Sequence, residues 1–283
     1  MRRSHPLVFA LGGLGLLLLY TPLLATAALS FNAARVGLIW QGFTGAWYLK
    51  LAQNEAILSA AWTSLLVALA STAVATLLGT LLALGLERTP WPRPVRRALD
   101  ALVDLPVVTP DILFAAALVI AFSFLRQASS AFQPGLLTLV IAHVTFQVAF
   151  VALVVRARTV ALGRDLDEAA RDLYASRWFH LRRVTLPLLL PGILAGALLA
   201  FTLSLDDFVI SFFTAGPRSE TLPIYVYASL RRGLSPEVHA LSTLMVLASV
   251  VLVLGLGRLS RPAAQASSPQ ADMTPTPALP PKE

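Results

Sequence analysis

Cysteine is absent from the 283 residues, which excludes a disulfide framework, a thiolate metal site and a cysteine nucleophile. Charge is scarce as well. Only 13% of residues are charged and 57% are hydrophobic, where a soluble domain carries roughly 25% charged residues. A chain this poor in charge cannot cover a globular surface, so much of its surface faces lipid; the mean hydropathy is +0.73. Lysine is nearly missing too. Lys50 is followed by Leu51 and Lys282 by Glu283, so there is no Walker A loop, whose lysine must reach nucleotide phosphates. The histidines, His5, His143, His180 and His239, are scattered and show no paired metal spacing. With no nucleophile–base pair, metal cluster or cofactor motif, catalysis by this chain is disfavoured. The net charge of +7 comes from basic residues set between apolar runs rather than in one patch, which argues against nucleic-acid binding.

What is present is a set of long apolar segments. Crossing the hydrocarbon core takes about 20 apolar residues as helix, and six stretches qualify: Leu7 to Leu29, Ala56 to Leu86, Ala98 to Leu125, Pro134 to Val155, Leu188 to Phe213 and Val238 to Gly257. The fold class is therefore an all-α integral membrane protein. Arg2 and Arg3 precede the first segment and Ala25-Thr26-Ala27 looks cleavable, but the run exceeds the roughly 7–15 residues of a signal h-region. A retained span fits better. With the N-terminus inside, sixteen of the 22 basic residues fall in inner segments and six in outer ones. The positive-inside rule then places both termini in the cytoplasm.

Three regions follow: 1–55, a first span with an outer loop; 56–261, the main transmembrane domain; and 262–283, a Pro-, Ala- and Ser-rich tail expected to be disordered. Trp40, Trp47 and Tyr48 in the outer loop suit the membrane interface. No internal repeat is visible. His143 lies mid-span, where a polar side chain is costly; a hydrogen bond to a neighbouring helix would account for it.

The longest inner connection, Arg156 to Pro187, holds two short helical stretches. Asp165, Asp167 and Glu168 crowd the start of the first, complementing the helix dipole. Ser176 is a natural N-cap for the second, Arg177 to Val184, and Pro187 is expected to end that pattern before the fifth span. Two short helices flanked by arginines make a docking surface.

Glu168-Ala169-Ala170 followed by Leu186-Pro187 resembles the EAA loop of permeases in ATP-binding-cassette (ABC) importers. The resemblance implies a type I importer permease fold, with the loop's short helix seated in a groove of a partner ATPase. The family usually has glycine where this chain has Tyr174, so a different or strained turn is expected there. Further stretches resemble the spermidine/putrescine branch: Leu29-Ser30-Phe31-Asn32, Trp40-Gln41-Gly42-Phe43-Thr44, Pro110-Asp111-Ile112 and Ser204-Leu205-Asp206-Asp207. Gly216-Pro217, Leu222-Pro223 and Ser235-Pro236-Glu237-Val238 continue it. This resemblance points to the second permease of the polyamine pair. It implies a bacterial plasma-membrane complex with a related permease, two ATPase subunits and an external binding protein.

Asp111, Asp206 and Asp207 interrupt spans. Acids there usually face a cavity or a partner, so the three are candidate residues of a cation pathway, with Asp111 deep and the pair nearer the outer mouth. The alternative is structural, capping broken helices near Pro106 and Pro110 or pairing with arginines. An anion substrate would favour basic residues instead. Thiamine, ferric iron or an oxyanion are the alternative solutes, and an ATP-independent secondary transporter is the alternative class.

Overall fold

The computed structural model describes residues 6–34, 39–163, 165–232 and 236–259. The expected tail from Pro262 lies outside the described residues, as does Ser235. Twelve α-helices run through the described residues: α1 (Pro6–Leu29), α2 (Ala46–Gln53), α3 (Glu55–Arg88), α4 (Arg93–Val108), α5 (Asp111–Ala128), α6 (Leu136–Ala161), α7 (Asp165–Asp172), α8 (Arg177–His180), α9 (Leu186–Asp206), α10 (Val209–Thr214), α11 (Leu222–Arg232) and α12 (Pro236–Leu259). Among the described residues five helices are long and apolar enough to cross a membrane. Helix α12 is 24 residues long, but its apolar stretch, Pro236–Val251, is shorter than in these five, so the sixth expected span is not among them.

The centre is a trio of α3, α6 and α9. On α3, Ala75, Gly79 and Ala83 are fully or almost fully buried at four-residue spacing; on α9, Gly192, Gly196 and Ala200 repeat the pattern. Side chains three or four apart share one helix face, and small residues let backbones approach where no hydrophobic effect drives helices together. Val151 of α6 sits between the two rows. A Cβ on Gly79 would lie 2.7 Å from Val151 Cβ, and one on Gly196 3.3 Å from Val151 Cγ1. Helix α1, by contrast, is exposed along its length and leans on α12.

Two expected spans are broken rather than continuous. The third divides at Thr109-Pro110 into an amphipathic α4 and an apolar α5. Thr109 is extended (φ −77°, ψ 129°) because a residue before proline is pushed out of the α region. The fifth divides at Asp207, also extended (φ −67°, ψ 120°), before α10. In the other direction, Pro187 does not end a helix. Arg177 to Asp206 is one helical run, with a π-helical turn over Leu181–Thr185 feeding into α9 and Pro187 in its first turn. Proline is tolerated there because the wider turn takes up the lost i→i−4 bond. Arg177 to Val184 is thus helical but not a separate short helix: Arg177–His180 runs on through the π turn into α9.

The loop after α1 folds onto itself. Asn32 pairs with Phe43 in an isolated bridge, and its buried side chain accepts from the Gln41 amide (2.9 Å) and donates to Ile39 O (2.9 Å). Trp47 is buried and donates Nε1–H to Asn32 O at 2.7 Å. It is a core residue, contrary to the interfacial role expected of it, whereas Trp40 is exposed. Two stretches of the polyamine-branch resemblance, Leu29–Asn32 and Trp40–Thr44, are therefore the two sides of one small substructure.

Candidate functional site: an inner loop and two broken helices

Arg88, Arg96, Arg156 and Arg177 gather about the end of α3 and the cleft beside α7 and α8. Two residues past α7 lies Tyr174, the non-glycine residue with positive φ (+54°) among those described, and Ala175 N–H bonds to Ala170 O at 2.9 Å. That 6→1 bond around a left-handed residue closes a Schellman-type turn. The expected strain is therefore real: a Cβ-bearing residue occupies a conformation that favours glycine. Tyr174 is 97% exposed, so no packing compensates. Ser176 caps α8, its Oγ accepting from Phe179 N–H at 3.3 Å.

Of the loop residues singled out by sequence, Glu168, Ala169, Tyr174 and Pro187 are exposed, while Ala170 and Leu186 are half-buried. Beside them opens a cleft of about 970 Å³, lined by Arg88, Asp167, Glu168, Arg177, His180 and Thr185 among others. Sequence reasoning passed over the ion pairs that tie this region together. Asp167 pairs with Arg88 at the end of α3, and His180 Nε2 lies 2.6 Å from the same Asp167 oxygen. Next to Arg88, Glu87 binds both Arg96 of α4 and Arg156 of α6, each at 2.6 Å; Arg156 also reaches Asp100 at 3.0 Å. Arg96 and Asp100 are four apart on one helix, a pairing the sequence does signal. Nothing local announces Glu87–Arg156, which are 69 residues apart.

The second cluster lies at the breaks. Asp207 accepts from the amides of Ile210 (3.2 Å) and Ser211 (2.7 Å), capping α10. Its Oδ2 lies 3.4 Å from His143 Nε2. His143 is 2% exposed, and its ring nitrogens reach Ser204 Oγ (2.7 Å) and Ser211 Oγ (3.0 Å). This network gives a mid-span histidine the partners that a low-dielectric setting demands. Asp206 is exposed. The two acids do not diverge along a regular helix, because the chain leaves helical geometry at Asp207.

Asp111 opens α5 and is exposed, rather than sitting partway along an unbroken helix. Three residues on, the Phe114 ring lies 5.7 Å from Phe146. Phe146 is ten residues into α6 and His143 seven, about 15 Å and 10 Å at 1.5 Å per residue. Next to Asp207, Phe208, Phe212 and Tyr227 cluster at centroid distances of 4.7–6.1 Å, and Arg231 lies over the Tyr227 ring.

Residues 75–265 match the family described as the binding-protein-dependent transport system inner membrane component. The chain is 38% identical over 243 residues to the spermidine/putrescine transport system permease protein PotC of Escherichia coli K12, covering 86% of this chain and 89% of that one. It is 39% identical over 234 residues to the putrescine transport system permease protein PotI of the same organism (82% and 83% covered). It is also 36% identical over 207 residues to the molybdenum transport system permease protein ModB of Mycobacterium bovis (69% and 76% covered). A bacterial ABC transporter that imports the acidic polysaccharide alginate shares the fold, with a TM-score of 0.72 at 18% identity over 92% of this chain and 96% of that one. On these grounds the chain belongs to the binding-protein-dependent transport system inner membrane components, as a multi-pass permease subunit of an ABC importer.

Proposed function

We propose that this permease carries polyamines, spermidine or putrescine, inward across a bacterial plasma membrane. It forms half of a gated pathway with a related permease. Two separate ATPase subunits drive the cycle, and an external binding protein delivers the substrate. The carrying observation is the similarity to a spermidine/putrescine permease across 86% of this chain. Geometry supports the same reading. Asp111 and Asp206 are both exposed and each stands beside a helix break; two separate acids suit a substrate whose amines are spaced along a flexible chain, and helix breaks at membrane depth are tolerated where they line a cavity.

In this reading the arginine-rich end is cytoplasmic, as are both termini. Glu168, Ala169 and Ala170 on α7, with Tyr174, Leu186 and Pro187, form the ATPase-coupling loop; exposed Glu168 pairs with a basic residue of the ATPase. A second reading, an oxyanion, draws on the 36% identity to the molybdenum permease, but the acids at the breaks oppose an anion. Uptake of labelled spermidine by cells that depend on this importer tests the choice. Excess putrescine should compete and molybdate should not; the reverse pattern would contradict the proposal.

A further inference from the structure

We infer that Asp167, not its neighbour Glu168, transmits movement of α7 into the membrane-spanning core, with Arg88 and His180 as its anchors. The inference rests on the coupling-loop reading above. Helix α7 presents acids in two directions. Glu168 is exposed toward any partner, whereas the Asp167 side chain is only 14% exposed and turns onto α3 and α8. One carboxylate oxygen of Asp167 accepts from both the Arg88 guanidinium and His180 Nε2.

Backbone alone is a poor link between α7 and the core. It enters α7 after Gly163 (φ +68°) and leaves through Tyr174 (φ +54°), both in conformations that ordinary residues seldom adopt. Leu173, which follows α7, adds no packing, being 81% exposed. An open cleft lies between the end of α3 and α7, and the Arg88–Asp167 pair spans it. Arg88 is the last residue of α3, which packs along both α6 and α9. Just before it, Glu87 ties the same helix end to α4 and α6. A displacement of α7 is therefore delivered through Asp167 to a helix end that is itself fastened to α4 and α6.

Such a bridge is a positioning device, so its loss uncouples without dismantling. The test uses the importer reconstituted from this chain, its companion permease, the ATPase and the binding protein, with spermidine as the probe. In Asp167→Asn the ATPase stays in the purified complex and basal hydrolysis is kept, while stimulation by spermidine-loaded binding protein falls about tenfold, a typical coupling loss. Arg88→Gln reproduces that loss, and the exchange Arg88→Asp with Asp167→Arg restores at least part of it. Full stimulation in both Asp167→Asn and Arg88→Gln would overturn the inference, as would loss of the ATPase from the Asp167→Asn complex. Glu168→Lys separates the two ideas: retention of the ATPase and full uptake in that variant would sink the coupling-loop reading itself, whatever Asp167 does.

Discussion

Asp206 and Asp207 are chain neighbours with different surroundings, and their variants should part accordingly. Asp207 holds two amides of α10 and faces His143; Asp207→Ala removes the cap and its contact with His143, and loss of a cap costs about 0.5–2 kcal/mol. Its signature is a lower unfolding midpoint of the purified complex. Asp206 is exposed, so Asp206→Asn leaves the midpoint unchanged and lowers spermidine transport. Normal transport in Asp206→Asn would remove it from the pathway. Tyr174 offers a prediction of the opposite sign. A residue with Cβ in the left-handed region costs roughly 1–2 kcal/mol, and the 97% exposed ring returns nothing, so Tyr174→Gly stabilises the end of α7. Amide hydrogen exchange in Asp165–Asp172 should slow; faster exchange would show that the glycine's backbone entropy outweighs the relief.

Among the helices, what the sequence made legible and what it hid have separate physical causes. The first, second and fourth apolar helices follow from hydropathy alone, since a span without charge has nowhere else to go. The breaks at Thr109-Pro110 and Asp207 were signalled only as acids and prolines inside apolar runs, a pattern that does not say whether a helix bends, caps or continues. Pro187 misled in the other direction, because a π turn upstream absorbs it. Trp47 looked interfacial because its composition suits an interface; only the fold of residues 30–48 shows it buried on Asn32. Asp167 was seen as one of three dipole-complementing acids, and its partner Arg88 lies 79 residues away in sequence, beyond any local pattern. The Gly216-Pro217 stretch gains a reason from packing. A Cβ at Gly216 would collide with the backbone carbonyl of Pro134, where the loop after α10 meets the start of α6, and Thr138 Oγ1 already donates to Thr214 O at 3.0 Å. Backbone cannot yield as a flexible side chain can, so Gly216→Ala costs about 1–3 kcal/mol, as other forced overpacking does. Thermal unfolding of the complex would reveal it, and an unchanged midpoint would mean the two segments move apart freely.

Among the described residues the protein is a tightly packed trio, α3, α6 and α9, with two polar clusters. One gathers acids and a buried histidine at the helix breaks; in the other, ion pairs fasten α3 to the loop that carries Glu168. On the function proposed above, that arrangement has the form of a transmission between an ATPase-facing surface and a polar substrate site. Uptake of labelled spermidine into vesicles holding the assembled importer, with ATP inside or outside the vesicle as the nucleotide-binding face requires, and with wild-type or Glu168→Lys permease, tests this most directly. The account predicts ATP-dependent accumulation with the wild-type chain and none with Glu168→Lys. Spermidine accumulation that proceeds without ATP, or that is undiminished by Glu168→Lys, would contradict it.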